Sequence, residues 1–159
     1  MPAQTLEPHL VEVLRKSAHE ILETMVSITP TSVEAREEHS STFDDEVIGL
    51  LGFTGTRSGT FVVRTNLQFA QTMAAKMLMA EPEELSSFEE VSDAFGEIVN
   101  MLSGSFKNEW VAEGNQMDLS IPTVIREGKV NINSDSGVRS GVRVQVDDQQ
   151  VDVGIHFEA

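Results

Sequence analysis

Residues 142–157 read Val142-Arg-Val-Gln-Val146, then Asp147-Asp148-Gln-Gln150, then Val151-Asp-Val-Gly-Ile-His-Phe157. Val142, Val144 and Val146 alternate with Arg143, Gln145 and Asp147. After a turn at Asp148–Gln150, Val151, Val153, Ile155 and Phe157 alternate with Asp152, Gly154, His156 and Glu158. Successive side chains of a strand point to opposite faces, so this pattern predicts an antiparallel hairpin with one face buried.

That buried face needs a cover, and the rest of the chain supplies helices. Ser87 followed by Glu90 is a capping-box signature, and Gly114 suits the position just past a helix end, so a helix is predicted from about Ser87 to Glu113. Val91, Ala94, Phe95, Ile98, Leu102, Phe106 and Trp110 form its apolar face. Glu7 to Val26 gives a second helical stripe, through Leu10, Val13, Leu14, Ala18, Ile21, Leu22 and Met25, and Pro30 helps to stop it. Leu67 to Met79 gives a third, with Leu67, Ala70, Met73, Ala74, Met77 and Leu78 inward.

Two further β signals complete the set. Val47–Thr54 and Thr60–Arg64 are apolar runs joined by Gly55-Thr-Arg-Ser-Gly59, a hairpin pattern. The glycines there precede a strand rather than a helix, which does not suit a phosphate-cradling loop. Met117–Ile125 reads as a strand that Pro122, with no N–H to donate, confines to an edge or a bulge. Residues 31–45 are polar and acidic and read as a loop. The sum is a single α+β domain over residues 1–159, an antiparallel sheet with long helices packed on one face. Glu20-Ile-Leu-Glu-Thr-Met25 echoes Glu97-Ile-Val-Asn-Met-Leu102, which points to duplicated halves.

Lys and Arg total 11 against 26 Asp and Glu, a net charge of −15. Nucleic acid and anionic membrane both attract positive surface and are poor partners for such a chain. There is no cysteine, so disulfides, zinc–thiolate sites and thiol nucleophiles are excluded. The first residues show no signal-peptide pattern, which makes a cytoplasmic location the expectation. His19 and Glu23 are spaced i, i+4 as metal ligands can be, but no third ligand accompanies them.

Asp93, Glu97, Asn100 and Gly104 fall at i, i+4, i+7 and i+11 of the Ser87–Glu113 helix and share one stripe, flanked by Gly96 and Ser103. Each helical glycine costs roughly 1 kcal/mol relative to alanine. Close approach of another protein would account for them, as would packing of the helix on its own sheet. A solvated polar face is the plainest reading of the stripe.

The segment Ser92-Asp-Ala-Phe-Gly-Glu97-Ile-Val-Asn100-Met-Leu-Ser-Gly104 resembles the signature of the CheC/CheX/FliY chemotaxis phosphatases. In that signature an Asp or Ser, then Glu, then Asn on one helix are followed some twenty-odd residues later by a Pro. Asp93, Glu97, Asn100 and Pro122 fill these places. The 47–63 hairpin and the Asp118–Ile125 strand also resemble the family's, and the chain is most similar to CheX. CheC-type members carry two Glu-x-x-Asn sites. Here the first half offers Glu20-x-x-Glu23 with Lys16 at the acidic position, so one site per chain is expected.

The resemblance implies a phosphatase acting on the phosphoaspartate of a CheY-like response regulator. Asn100 would position water and Glu97 would engage the partner's lysine, with Asp93, Gly96 and Gly104 meeting the partner and Pro122 as a structural motif. It also implies a homodimer paired through sheet edges, no cofactor on this chain, and Mg²⁺ on the regulator. A non-catalytic docking module on a signalling or flagellar-switch partner is the alternative.

Overall fold

The structure, a computed structural model, describes residues 4–5, 8–36, 42–43, 45–131 and 138–158. In chain order the elements are β1 (Gln4–Thr5), α1 (Pro8–Thr24), β2 (Ser32–Arg36), β3 (Thr42–Phe43), β4 (Val47–Gly55), β5 (Gly59–Thr65), α2 (Leu67–Met77), α3 (Phe88–Ala112), β6 (Met117–Leu119), β7 (Thr123–Arg126), β8 (Val130–Asn131), β9 (Val138–Val146) and β10 (Gln149–Phe157). A short 3₁₀ turn at Pro82–Glu84 joins α2 to α3.

Both predicted hairpins form. β4 pairs β5 from Val47↔Thr65 to Phe53↔Gly59, and β9 pairs β10 from Val146↔Gln149 to Arg139↔His156. β5 and β10 then pair antiparallel at the centre of the sheet. β2 and β1 border β9 on one side, while β6 and β7 border β4 on the other. The order β2-β9-β10-β5-β4-β6/β7 is its own reverse when the first half (β2, β4, β5) is exchanged with the second (β6/β7, β9, β10). The echo between α1 and α3 therefore has a counterpart in topology.

All three helices contribute to one large core with Val47, Leu51, Phe53, Phe61, Val63 and the apolar residues of the C-terminal hairpin. α3 is seated most firmly. Phe106 and Trp110 join Phe53, Phe61 and Phe157 in a closed ring of five aromatic contacts with centroids 5.2–5.9 Å apart. Such pairs add about 0.5–1.5 kcal/mol each beyond the area they bury. Towards its other end, α3 lies so close to β4 that a Cβ on Gly49 would stand 2.5 Å from Val99 Cγ2.

Several expectations are corrected. Ser32–Arg36, within the stretch expected to be a loop, is a strand paired with β9, and Thr42–Phe43 pairs with β8. Residues 37–41 and 44 of that stretch, and Glu7 at the predicted start of the first helix, lie outside the described residues. The β9–β10 turn is Asp147–Asp148, one step earlier than expected, with Asp147 at φ 52. α1 and α2 end at Thr24 and Met77, so Met25 and Leu78, expected inward, leave the helical stripe and are about half exposed.

The second sheet face is also covered. Val130 of β8 packs on Ile48 and Val62, and Asp152 and His156 are buried in β10. Asp152 is satisfied there by Arg36 at 2.7 Å and by Arg143 through two bonds of 2.8 and 3.0 Å.

Candidate functional site

α3 starts where the sequence places it. Ser87 is the N-cap and accepts from the Glu90 N–H. The predicted reciprocal half of the capping box is absent, because the Glu90 carboxylate takes the Ser86 hydroxyl at 2.7 Å instead. Glu89 and Glu90 in the first turn suit the positive end of the helix dipole. The helix ends at Ala112 with Glu113 as C-cap, and Gly114 follows at φ 98, the left-handed position a glycine fills without strain. The predicted core face is buried throughout.

Asp93, Glu97 and Asn100 are all exposed on the opposite side. The side chains of the three make no hydrogen bond or ion pair with the described residues. Neighbours three and four apart on a helix have Cβ atoms roughly 5–6 Å apart, so Glu97 and Asn100 can address one bound group together. Gly104 continues the stripe, and a Cβ there would meet nothing within 4 Å.

Gly96 is different. It is buried, and a Cβ on it would stand 3.7 Å from Val124 Cγ2 and 3.9 Å from Pro122 Cγ. Expected among the partner-contacting residues, it packs on the protein's own edge strand. Ser103 is likewise buried and bonds back to the Val99 carbonyl at 2.8 Å.

Pro122 is thus brought to the flank of the stripe, and the strand that carries it is broken as its missing N–H requires. β6 pairs β4 with Phe53↔Leu119, and β7 pairs it with Leu50↔Thr123. Ser120, Ile121 and Pro122 therefore stand opposite only Leu51 and Gly52, which makes a β-bulge with one extra residue. Ser120 ties the bulge down. Its N–H donates to the Gly52 carbonyl at 2.9 Å and its hydroxyl accepts from the Gly52 N–H at 3.0 Å. Ile121 projects from it, 85% exposed, a residue that periodicity alone does not single out.

The charge around the site is one-sided. Glu81, Glu83, Glu84, Glu89 and Glu90 are exposed ahead of Asp93 and Glu97. The fold adds one cation that local sequence does not show, Arg126 of β7, whose guanidinium lies 4.9 Å from the Phe88 ring at the start of α3. No group of three or more His, Asp or Glu residues that could hold a metal occurs among the described residues. The His19–Glu23 pair is an exposed contact of 3.6 Å within α1. Lys16 donates to Glu109 of α3 at 2.9 Å, and that hydrogen bond raises its pKa above the usual lysine value.

The family model described as chemotaxis phosphatase CheX matches residues 47–144, more than half of the chain. Among solved structures, a putative chemotaxis protein from Desulfovibrio vulgaris Hildenborough superposes with a TM-score of 0.83 at 19% identity, covering 98% of this chain and 100% of that one. A chemotaxis protein CheX from Desulfovibrio desulfuricans gives 0.81 at 19% identity, covering 94% and 99%. A CheX–CheY–BeF₃–Mg²⁺ complex from Borrelia burgdorferi gives 0.75 at 18% identity, covering 94% and 98%. A search of curated proteins returns no significant match.

Proposed function

The chain belongs to the chemotaxis phosphatase CheX family, and from that premise we propose that it hydrolyses the phosphoaspartate of a CheY-like receiver domain at the exposed stripe of α3. One observation carries the reading. Glu97 and Asn100, the two residues the family signature requires, are exposed neighbours on one firmly seated helix, and neither is engaged by the described residues.

An acyl phosphate is already reactive, so its hydrolysis needs chiefly a placed water and a neutralised phosphoryl group. The Asn100 side-chain carbonyl accepts a hydrogen bond and its NH₂ donates one. It holds a water in line with the phosphorus. As the water oxygen bonds to phosphorus, the bond to the aspartyl oxygen breaks, the aspartate leaves as its carboxylate, and the water's proton passes to solvent. Glu97, as a carboxylate, pairs with the receiver's active-site lysine and so docks the helix face. Asp93 borders the contact. α3 carries no basic residue ahead of Lys107, and in this proposal the phosphoryl charge is met by the receiver's own lysine and Mg²⁺. No cofactor is assigned to this chain.

A receiver-domain substrate places the protein in the cytoplasm. No helix among the described residues is long and apolar enough to cross a membrane. The homodimer is retained from the family resemblance, with the β1/β2 and β6/β7 edges as candidate surfaces, and light scattering on a sizing column tests it.

The function is tested by following phosphate release from a phosphorylated receiver. Acceleration over spontaneous decay is expected. Asn100→Ala should reduce that acceleration by 10²-fold or more (roughly the contribution of one positioned group) while binding persists. Binding without acceleration by the wild-type protein would replace the phosphatase with a docking module. Full activity in Asn100→Ala would refute the water-positioning role.

A further inference from the structure

We infer that Ile121, at the tip of the Ser120–Pro122 bulge, is the apolar anchor on which the receiver domain docks. The inference rests on the proposed phosphatase reading and extends it from the polar stripe to the surface beside it. An isoleucine that is 85% exposed forfeits nearly all of its burial energy. Loosely placed surface residues do so often, but this one is held. Two hydrogen bonds fix Ser120 to Gly52 on one side, and on the other the Pro122 ring lies 3.9 Å from the Cβ position of Gly96.

Bulges recur beside active sites because the extra residue re-aims a side chain. Here the extra residue does two things at once. It brings Pro122 against α3 at Gly96, the residue next to Glu97, and it leaves Ile121 projecting from the same rigid tip. The bulge that carries the apolar tip thereby packs on α3 one residue from Glu97.

The chemistry of the two parts is complementary. The stripe is acidic and polar, and an exposed charged face gives orientation and encounter rate more than affinity. An aliphatic side chain on a fixed backbone supplies affinity when it is desolvated in a partner's pocket, at a small ordering cost on binding. The occupant is therefore a receiver domain with an apolar depression beside its phosphorylation site.

Ile121→Ser tests this, with Ile121→Leu as the conservative variant. At so exposed a position both should fold, and an unchanged circular dichroism spectrum and thermal midpoint check it. For Ile121→Ser, KM for the phosphorylated receiver should rise about ten- to a hundredfold, the equivalent of one aliphatic side chain withdrawn from burial. The kcat should stay within about twofold, and Ile121→Leu should restore KM. Asn100→Ala, in contrast, should lose kcat. An unchanged KM in Ile121→Ser, beside an inactive Asn100→Ala, overturns the anchor and leaves the phosphatase reading standing. If the wild-type protein gives no acceleration, binding to a receiver loaded with beryllium fluoride and Mg²⁺ decides. Weaker binding by Ile121→Ser then supports the anchor, whereas equal binding, or none by either protein, overturns it.

Discussion

Replacing Gly49 by alanine and replacing Gly104 by alanine should shift stability in opposite directions. A Cβ on Gly49 would lie 2.5 Å from Val99 Cγ2 and 3.1 Å from Phe95 Cε2. Carbon atoms rest at roughly 3.5–4.0 Å, so the nearer contact is about 1 Å too short. Val99 cannot turn away, because a β-branched residue in a helix has essentially one χ1 rotamer and this one is fully buried. Either α3 lifts from β4 or Val99 distorts, and overpacking of this kind costs about 1–3 kcal/mol. Gly104 lies in the middle of α3 with nothing within 4 Å of its Cβ position. Alanine there recovers helix propensity of about 0.8–1.0 kcal/mol without a clash. For a domain of this size each kcal/mol moves Tm by about 2–4 °C. Gly49→Ala should therefore lower Tm by about 2–12 °C and Gly104→Ala should raise it by about 2–4 °C. Thermal unfolding followed by circular dichroism at equal protein concentrations is the assay. Glu97 and Asn100 ride on the same helix and keep their mutual spacing, so kcat should survive in both variants. A Gly49→Ala protein as stable as wild type would refute the close approach of α3 to β4, and a destabilised Gly104→Ala would refute the open space beside the stripe.

Three further outcomes follow from the same reasoning. Asp152→Ala removes a buried carboxylate from Arg36, Arg143 and Arg64 and should cost about 3 kcal/mol in urea titration, the low end for a broken buried pair because Arg64 keeps Asp45 at 3.2 Å; a neutral substitution would show the cluster to be dispensable. Met79 follows the Leu78 C-cap of α2 at φ 57 and is 96% exposed, so Met79→Gly should gain about 1 kcal/mol by relieving a left-handed residue, and an unchanged Tm would refute the strain. Glu97→Gln should weaken binding to the phosphorylated receiver about tenfold and flatten its salt dependence, as expected for one lost charge-assisted bond; equal affinity at low salt would remove Glu97 from the lysine contact.

Much of this was legible in local pattern, and the misses share a cause. α3 declares itself through its cap, its stripe and its terminal glycine, and the hairpins through alternation or glycine-rich turns. Pro122 announces a broken strand because it lacks a donor. By contrast, Ser32–Arg36 has only Val33 as a strong β-former, and what makes it a strand is the register that β9 offers from Gly141 to Gln145. The polar positions of β10 read as solvated, yet Asp152 is buried because arginines from β2, β5 and β9 converge on it. Gly96 looked like a stripe neighbour, and only the position of Pro122 and Val124 shows which way it faces. Each of these three depends on a partner distant in sequence, which no window along the chain contains.

The palindromic sheet explains why one half should carry the chemistry. If the halves descend from one ancestor, α1 stands for α3 and β2 for β6/β7. α1 presents Glu20 and Glu23 where α3 presents Glu97 and Asn100, so the amide is missing. Lys16 takes the place of Asp93 and is spent on Glu109 of α3. The edge strand differs as well. β2 pairs β9 in unbroken register from Ser32↔Gln145 to Arg36↔Gly141, with no extra residue to form a bulge. Among its described residues the first half thus shows neither the amide proposed to position water nor a bulge that brings a proline and a projecting aliphatic side chain beside the helix. On the proposed reading, two separate elements missing together from the described residues of one half work as one site: the helix supplies the polar groups and the bulge holds the partner against them. Restoring the amide alone, by Glu23→Asn in α1, should therefore create no second phosphatase centre. With Asn100→Ala as background, that variant should stay inactive in the phosphate-release assay, and recovered activity would show that the bulge is dispensable.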